Sequence, residues 1–182
     1  MVIFDWDGTL CDSIDQIVAA MQAAAQDVDL SPPPAAAVRD IVGLGLPQAV
    51  ATLFPRLADG QRLALAEAYA RQYVARDGGR VQLFAGALDT LHALRKRGLP
   101  LAVATGKSRR GLNRVLADLG LEDFFDATRC ADETRSKPHP LMLQQIMAEQ
   151  GVAAETVVMV GDTEYDLEMA CKAGVALSLI HI

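Results

Sequence analysis

Val2-Ile3-Phe4 runs straight into Asp5-Trp6-Asp7-Gly8-Thr9-Leu10. Two carboxylates, two positions apart, project from the end of an apolar run that reads as a buried strand. Side chains alternate faces within a strand, but beyond its end the chain turns. Gly8 permits a bend tight enough to bring Asp5 and Asp7 to one site. Negative charge crowded in this way calls for a cation. A lone Asp-x-Asp-Gly is more often an acidic surface turn after an edge strand, so the rest of the chain decides the reading.

Downstream, Ile14, Ile17, Val18 and Met21 recur at helical spacing, with Asp12 or Ser13 placed to cap the helix. No strand pattern follows for many residues. The Ser31-Pro32-Pro33-Pro34 run breaks the first helix, Gly43-Leu44-Gly45 a second, Pro47 suits the first turn of a third, and residues 59–76 read as a fourth. Gly78-Gly79 closes this segment, so residues 14–82 read as an all-helical insertion. Tyr69, Tyr73 and Leu63 are expected in its core.

Strands and helices then alternate. Helices are expected over 87–97, 108–119, 139–150 and 164–173. Strands are expected over 99–104, 125–128 and, most clearly, 156–160. Such alternation predicts an α/β fold, a parallel sheet covered on both faces, with ligands beyond the carboxyl ends of the strands. Polar residues cluster there. One strand delivers Thr105-Gly106-Lys107 and another Gly161-Asp162-Thr163, with Asp166 four residues on, while Lys137-Pro138 precedes a further helix. Each piece alone is weak; their joint order is specific.

With 182 residues, 51% of them hydrophobic and 22% charged, the composition is that of an ordinary soluble globular protein with material for a sizeable core. A net charge of -6 argues against nucleic acid and anionic membrane surfaces as partners, but leaves a small phosphorylated molecule open. No apolar stretch approaches a membrane span and no signal-like start is present, so the expected location is the cytoplasm. Cys11, Cys130 and Cys171 lack metal-ligand spacing and are read as reduced packing thiols.

Taken together, the motifs Asp5-Trp6-Asp7-Gly8-Thr9, Thr105-Gly106-Lys107, Lys137-Pro138 and Gly161-Asp162-Thr163 through Asp166 resemble those of the haloacid dehalogenase-like hydrolase superfamily. Within it, the chain is most similar to phosphoglycolate phosphatase-type members with a helical cap. The resemblance implies a Rossmann-like catalytic core from residues 1–13 and 83–182, and a mobile cap at 14–82. It also implies a Mg2+-dependent phosphatase acting on a small phosphorylated metabolite through an aspartyl-phosphate.

On that resemblance Asp5 is the nucleophile, attacking phosphorus in line, and Asp7 the acid and base. The metal set is a carboxylate oxygen of Asp5, the backbone carbonyl of Asp7 and the side chain of Asp162, with Asp166 orienting them from behind. Thr105, Gly106 and Lys137 bind phosphate. Lys107, one position further, is expected to face solvent. A proton donor at position 7 selects phosphate ester chemistry over carbon-halogen cleavage, phosphonate hydrolysis or ion pumping. A phosphomutase of the same superfamily and a non-catalytic phosphate- or metal-binding relative stay open.

Substrate choice is expected to lie in the helical segment. Residues 41–48 read first as a helix-helix connection and second as a flexible loop facing the site. Arg39 and Arg56 could meet a substrate carboxylate, although exposed arginines seldom do so. His92 and His139 read as packing or capping residues. Finally, the resemblance implies another strand and a tail after Gly174-Val175, yet residues 177–182 resemble the translation of a sequencing adapter. They are expected to be non-native, with one edge of the sheet missing.

Overall fold

The computed structural model describes residues 1–76 and 82–180. Five parallel strands form one sheet in the order β3-β2-β1-β4-β5. These are β1 (Val2–Phe4), β2 (Leu101–Thr105), β3 (Ala127–Cys130), β4 (Val158–Gly161) and β5 (Ala176–Leu179). The central strand is the first in the chain, flanked by β2 on one side and β4 on the other, which puts the switch in winding direction at its carboxyl end. Register does the rest. Phe4 is level with Val103 and Val160, so Asp5, Thr105 and Asp162 all emerge at the same edge.

Alternation along the strands divides the core between the two faces. Ile3, Ala102, Ala104 and Met159 pack with Met142, Leu143 and Ile146 of α7 (Leu141–Gln150) and with Met169 and Ala170 of α8 (Glu164–Ala173). On the other face Phe4, Leu101 and Val103 meet Leu91 of α5 (Ala87–Lys96) and Leu112, Val115 and Leu116 of α6 (Arg109–Leu119). The helix ends follow local chemistry. Ser108 accepts a hydrogen bond from the Gly111 amide, and Gly120, Gly151 and Gly174 end α6, α7 and α8 in the left-handed region.

Between β1 and α5 lie α1 (Ile14–Asp27), α2 (Ala35–Arg39), α3 (Leu46–Leu53) and α4 (Asp59–Arg76). They share an apolar cluster of their own, including Ile17, Val18, Met21, Val38, Val50, Leu65 and Ala68. Tyr69 and Tyr73 border that cluster, but Leu63 is 63% exposed. Six residues from Tyr69 is about 240° around a helix, which carries Leu63 off the packed face.

Some boundaries differ from those expected. Strand β2 starts at Leu101 because Pro100 has no amide to give, while its carbonyl accepts from Val2. A short 3-10 turn at Ala154–Thr156 delays β4, and α7 starts after Pro140, with His139 Nδ1 accepting from the Leu141 amide. Residues 176–179 form β5, which pairs in parallel along β4, and Ile180 donates to the Gly161 carbonyl. Gly78, Gly79, His181 and Ile182 lie outside the described residues. Cys11 and Cys130 are buried and Cys171 is exposed.

Candidate active site

The turn after β1 folds back on one carbonyl, Trp6 O, which accepts from the amides of Leu10 and Cys11 at 3.0 and 2.8 Å. Gly8 takes φ +84°, and a Cβ there would come 2.2 Å from Asp162 Oδ2. The glycine is therefore required twice over, for its dihedral and for the approach of the β4 loop. Thr9 Oγ1 completes the junction by donating to Asp162 Oδ1 at 2.7 Å. Trp6 is fully buried, edge-on to Phe125.

Asp5 is 1% exposed, with Lys137 Nζ 2.7 Å from its Oδ1. The same ammonium donates to Asp166 Oδ1 at 2.7 Å and is itself buried. Asp166 is held at both oxygens, since its Oδ2 also accepts from the Thr163 amide and hydroxyl at the start of α8. One oxygen each of Asp5, Asp162 and Asp166 can be chosen so that all lie within 4.8 Å of one another. Three carboxylates thus gather around a single ammonium.

The electrostatics follow. Burial is the largest influence on Asp5 and pushes its carboxyl well above the usual range; Lys137 pulls it back, and Asp166 and Asp162 push it up again. Asp162 is also raised, chiefly by burial. Burial works against the charge on Lys137, but Asp166 and Asp5 outweigh it and hold the group above its ordinary value. Neither Asp5 carboxylate oxygen has a well-formed hydrogen bond. Excess buried anionic charge and oxygen-only donors are what a hard divalent cation requires. Of the three carboxylates, Asp166 is the most heavily hydrogen-bonded, through Lys137 and the Thr163 amide and hydroxyl.

Thr105 is buried at the end of β2, and its Oγ1 accepts from the Lys107 amide at 3.2 Å, leaving its own proton to give. Gly106 lies under the connection between α2 and α3. A Cβ there would meet the carbonyl oxygens of Gly43 and Leu44 at 2.6 Å. Gly45 donates to Ser136 Oγ at 2.7 Å, so residues 43–45 pack directly on the loops that carry the motifs. Residues 41–45 lie in the connection between α2 and α3 and also pack on the motif loops, while residues 46–48 already belong to α3.

Asp7 is 8% exposed, and its Oδ1 accepts from Ser13 Oγ at 2.5 Å and lies 3.0 Å from Lys107 Nζ. Two expectations are corrected here. Ser13 occupies the N-cap position of α1 but makes no side-chain cap, because its hydroxyl turns to Asp7. Lys107 does not face solvent: its side chain is 9% exposed, drawn inward by Asp7 and by Tyr73, whose hydroxyl is 3.1 Å from Nζ. Ser13 was legible as a polar residue near the motif; nothing in linear spacing reports which way Lys107 turns. Arg39 pairs with Asp15, Arg56 is exposed, and His92 packs edge-on to Phe124.

The haloacid dehalogenase-like hydrolase family model matches residues 2–180. The chain is 36% identical over 183 residues to the probable phosphatase IndB of Dickeya dadantii, covering 97% of this chain and 78% of that one. It is 33% identical over 188 residues to a phosphoglycolate phosphatase of Neisseria meningitidis, covering 98% and 78%. Among solved structures, CbbY from Rhodobacter sphaeroides, crystallised with xylulose-1,5-bisphosphate, shares the fold at TM-score 0.85 and 21% identity, covering 99% of this chain and 86% of that one. With four motif loops meeting at the carboxyl edge of one parallel sheet, and with the match running through nearly all of its length, this chain belongs to the haloacid dehalogenase-like hydrolase family.

Proposed function

We propose that the protein is a Mg2+-dependent phosphatase of a small phosphomonoester, with phosphoglycolate the first candidate, working through an aspartyl-phosphate at Asp5. The observation that carries this reading is the buried Asp5 carboxylate, both oxygens without a well-formed hydrogen bond, set against Lys137. The names of the curated relatives support phosphomonoester chemistry. Residues 1–13 and 83–182 form the catalytic core in this reading, and 14–82 the cap over it. We place the enzyme in the cytoplasm. Among the described residues, no helix is long and apolar enough to cross a membrane.

A carboxylate oxygen of Asp5 attacks phosphorus, and the ester P-O bond breaks as Asp7 gives its proton to the leaving oxygen. Asp7 then takes a proton from the water that attacks the phosphorus. The bond between phosphorus and Asp5 breaks, restoring the carboxylate and releasing inorganic phosphate. Thr105 Oγ and the Gly106 amide donate to the phosphoryl oxygens, while the Lys137 ammonium opposes their charge. Asp5, the Asp7 backbone carbonyl and Asp162 would hold Mg2+, with Asp166 fixing Lys137 and the start of α8. When bound, the ion supplies positive charge that lets one anion approach another.

A cavity of about 780 Å³ opens beside Gly106 and Lys137, bounded by Leu46, Gln48, Arg135 and His139. Asp5, Asp7 and Asp162 do not line it, and Gly43 and Leu44 pack over Gly106 at its border. Substrate admission in this reading requires residues 43–45 to lift. Phosphate release from phosphoglycolate, sugar phosphates and an aryl phosphate, compared between the wild-type chain and Asp5→Asn, tests the assignment. Turnover that Asp5→Asn abolishes is expected; equal rates would overturn it.

A further inference from the structure

Lys107 belongs neither to the acidic cluster nor to the Lys137 pairings, yet its side chain is 9% exposed, one of the most enclosed cations among the described residues. Its Nζ is 3.0 Å from Asp7 Oδ1 and 3.1 Å from the Tyr73 hydroxyl, and lies 4.7 Å from the centre of the Tyr73 ring. Tyr73 belongs to α4, and its backbone carbonyl accepts from Gln16 Nε2 of α1. A lysine from the β2 loop is therefore clasped by an aromatic residue of the helical segment and directed at the carboxylate that follows β1. On the other side, Ser13 Oγ donates to the same Asp7 oxygen.

Among the described residues, both contacts fall on Oδ1 and none on Oδ2. A carboxylate gripped at one oxygen by two donors from different directions cannot rotate about its side-chain torsions without losing both. Its other oxygen then has a fixed direction. A proton donor must come within hydrogen-bond reach of the leaving oxygen as the ester bond breaks, so that direction matters to the rate. Lys107 in turn has a flexible four-carbon stem, and the Tyr73 ring and hydroxyl supply the restraint it lacks.

We propose that Lys107, held by Tyr73, is a positioning residue: it fixes the Asp7 carboxylate so that its Oδ2 edge serves the leaving group, and it makes that alignment depend on the helical segment being seated. This rests on the phosphatase reading above. A phosphate-binding lysine would affect every ester alike. A positioning residue for the acid affects most the esters whose leaving group needs a proton.

The test uses the full chain with Lys107→Met, Lys107→Arg and Tyr73→Phe, each assayed on para-nitrophenyl phosphate, whose phenolate leaves unaided, and on phosphoglycolate as an alkyl ester. Lys107→Met is expected to lose roughly tenfold to a hundredfold in kcat/KM, which reports phosphoryl transfer to Asp5, on the alkyl ester and much less on the aryl ester, whereas kcat falls on both because Asp7 is also the base in the shared second step. Lys107→Arg should recover part of the loss. Tyr73→Phe, which keeps the ring and removes the hydroxyl, should show the same selectivity more weakly, and serves alone if Lys107→Met does not fold. Equal losses in kcat/KM on both esters, or no loss, would overturn the proposal.

A crystal structure of Lys107→Met or Tyr73→Phe gives a readout independent of turnover: Asp7 turned from its Ser13-bound rotamer supports the proposal, and an unmoved Asp7 in both variants overturns it. Absence of Asp5-dependent turnover in the wild-type chain would instead defeat the phosphatase reading, leaving this structural comparison to decide the positioning role.

Discussion

A methyl group on Gly8 would lie 2.2 Å from Asp162 Oδ2 and 2.8 Å from its Cγ, at a residue whose φ of +84° already disfavours any side chain. Gly8→Ala must therefore push apart the β1 and β4 loops, the two that carry Asp5 and Asp162. We expect a cost on the order of 1–3 kcal/mol in urea denaturation, from backbone strain alone. We also expect about a hundredfold loss in kcat/KM, because the carboxylates leave their common site. A variant with wild-type stability and turnover would show that the junction is loose. This glycine was legible in the sequence as the bend between two aspartates. Its second duty, making room for a residue more than 150 positions away, was not, because that depends on the register of β4 against β1.

At the scale of elements, the contact between the helical segment and the sheet is a meeting of backbones. Gly106 faces the carbonyl oxygens of Gly43 and Leu44, and the Gly45 amide donates to Ser136 Oγ. Backbone cannot swing aside as a long side chain can. Gly106→Ala should lift residues 43–45 off the β2 loop, speeding hydrogen exchange at the amides of 44–46 and lowering turnover. Unchanged exchange there would contradict this picture of the contact. Helix punctuation was readable in advance, since Gly120 and Gly174 are the left-handed caps that end α6 and α8 and Ser108 caps α6 through its hydroxyl. Side-chain direction within turns was not. Lys107 was expected to point outward because one position past a motif carries no directional information, and only the approach of Tyr73 and Asp7 from other parts of the chain turns it in.

For the whole molecule, three apolar clusters do separate work. Two clamp the sheet from its faces and hold the motif loops at one edge, and the third packs α1 to α4 among themselves. That division lets the helical segment keep its own core while touching the acidic site through a few residues, Gly43, Leu44, Gly45 and Tyr73. The alternation of strands and helices was legible because parallel strands buried on both faces read as continuous apolar runs. Strand order, and with it the meeting of Asp5, Lys137, Asp162 and Asp166, is a property of topology that periodicity alone does not report.

In the proposed reaction Asp5 becomes phosphorylated during turnover. Rapid acid quench of the enzyme during turnover of a phosphomonoester with Mg2+, followed by peptide mass spectrometry, measures this directly. One phosphoryl group is expected on the peptide containing Asp5, absent in Asp5→Asn and absent when the divalent ion is chelated. Steady release of phosphate with no such adduct at any quench time, or an adduct on a different residue, would contradict it.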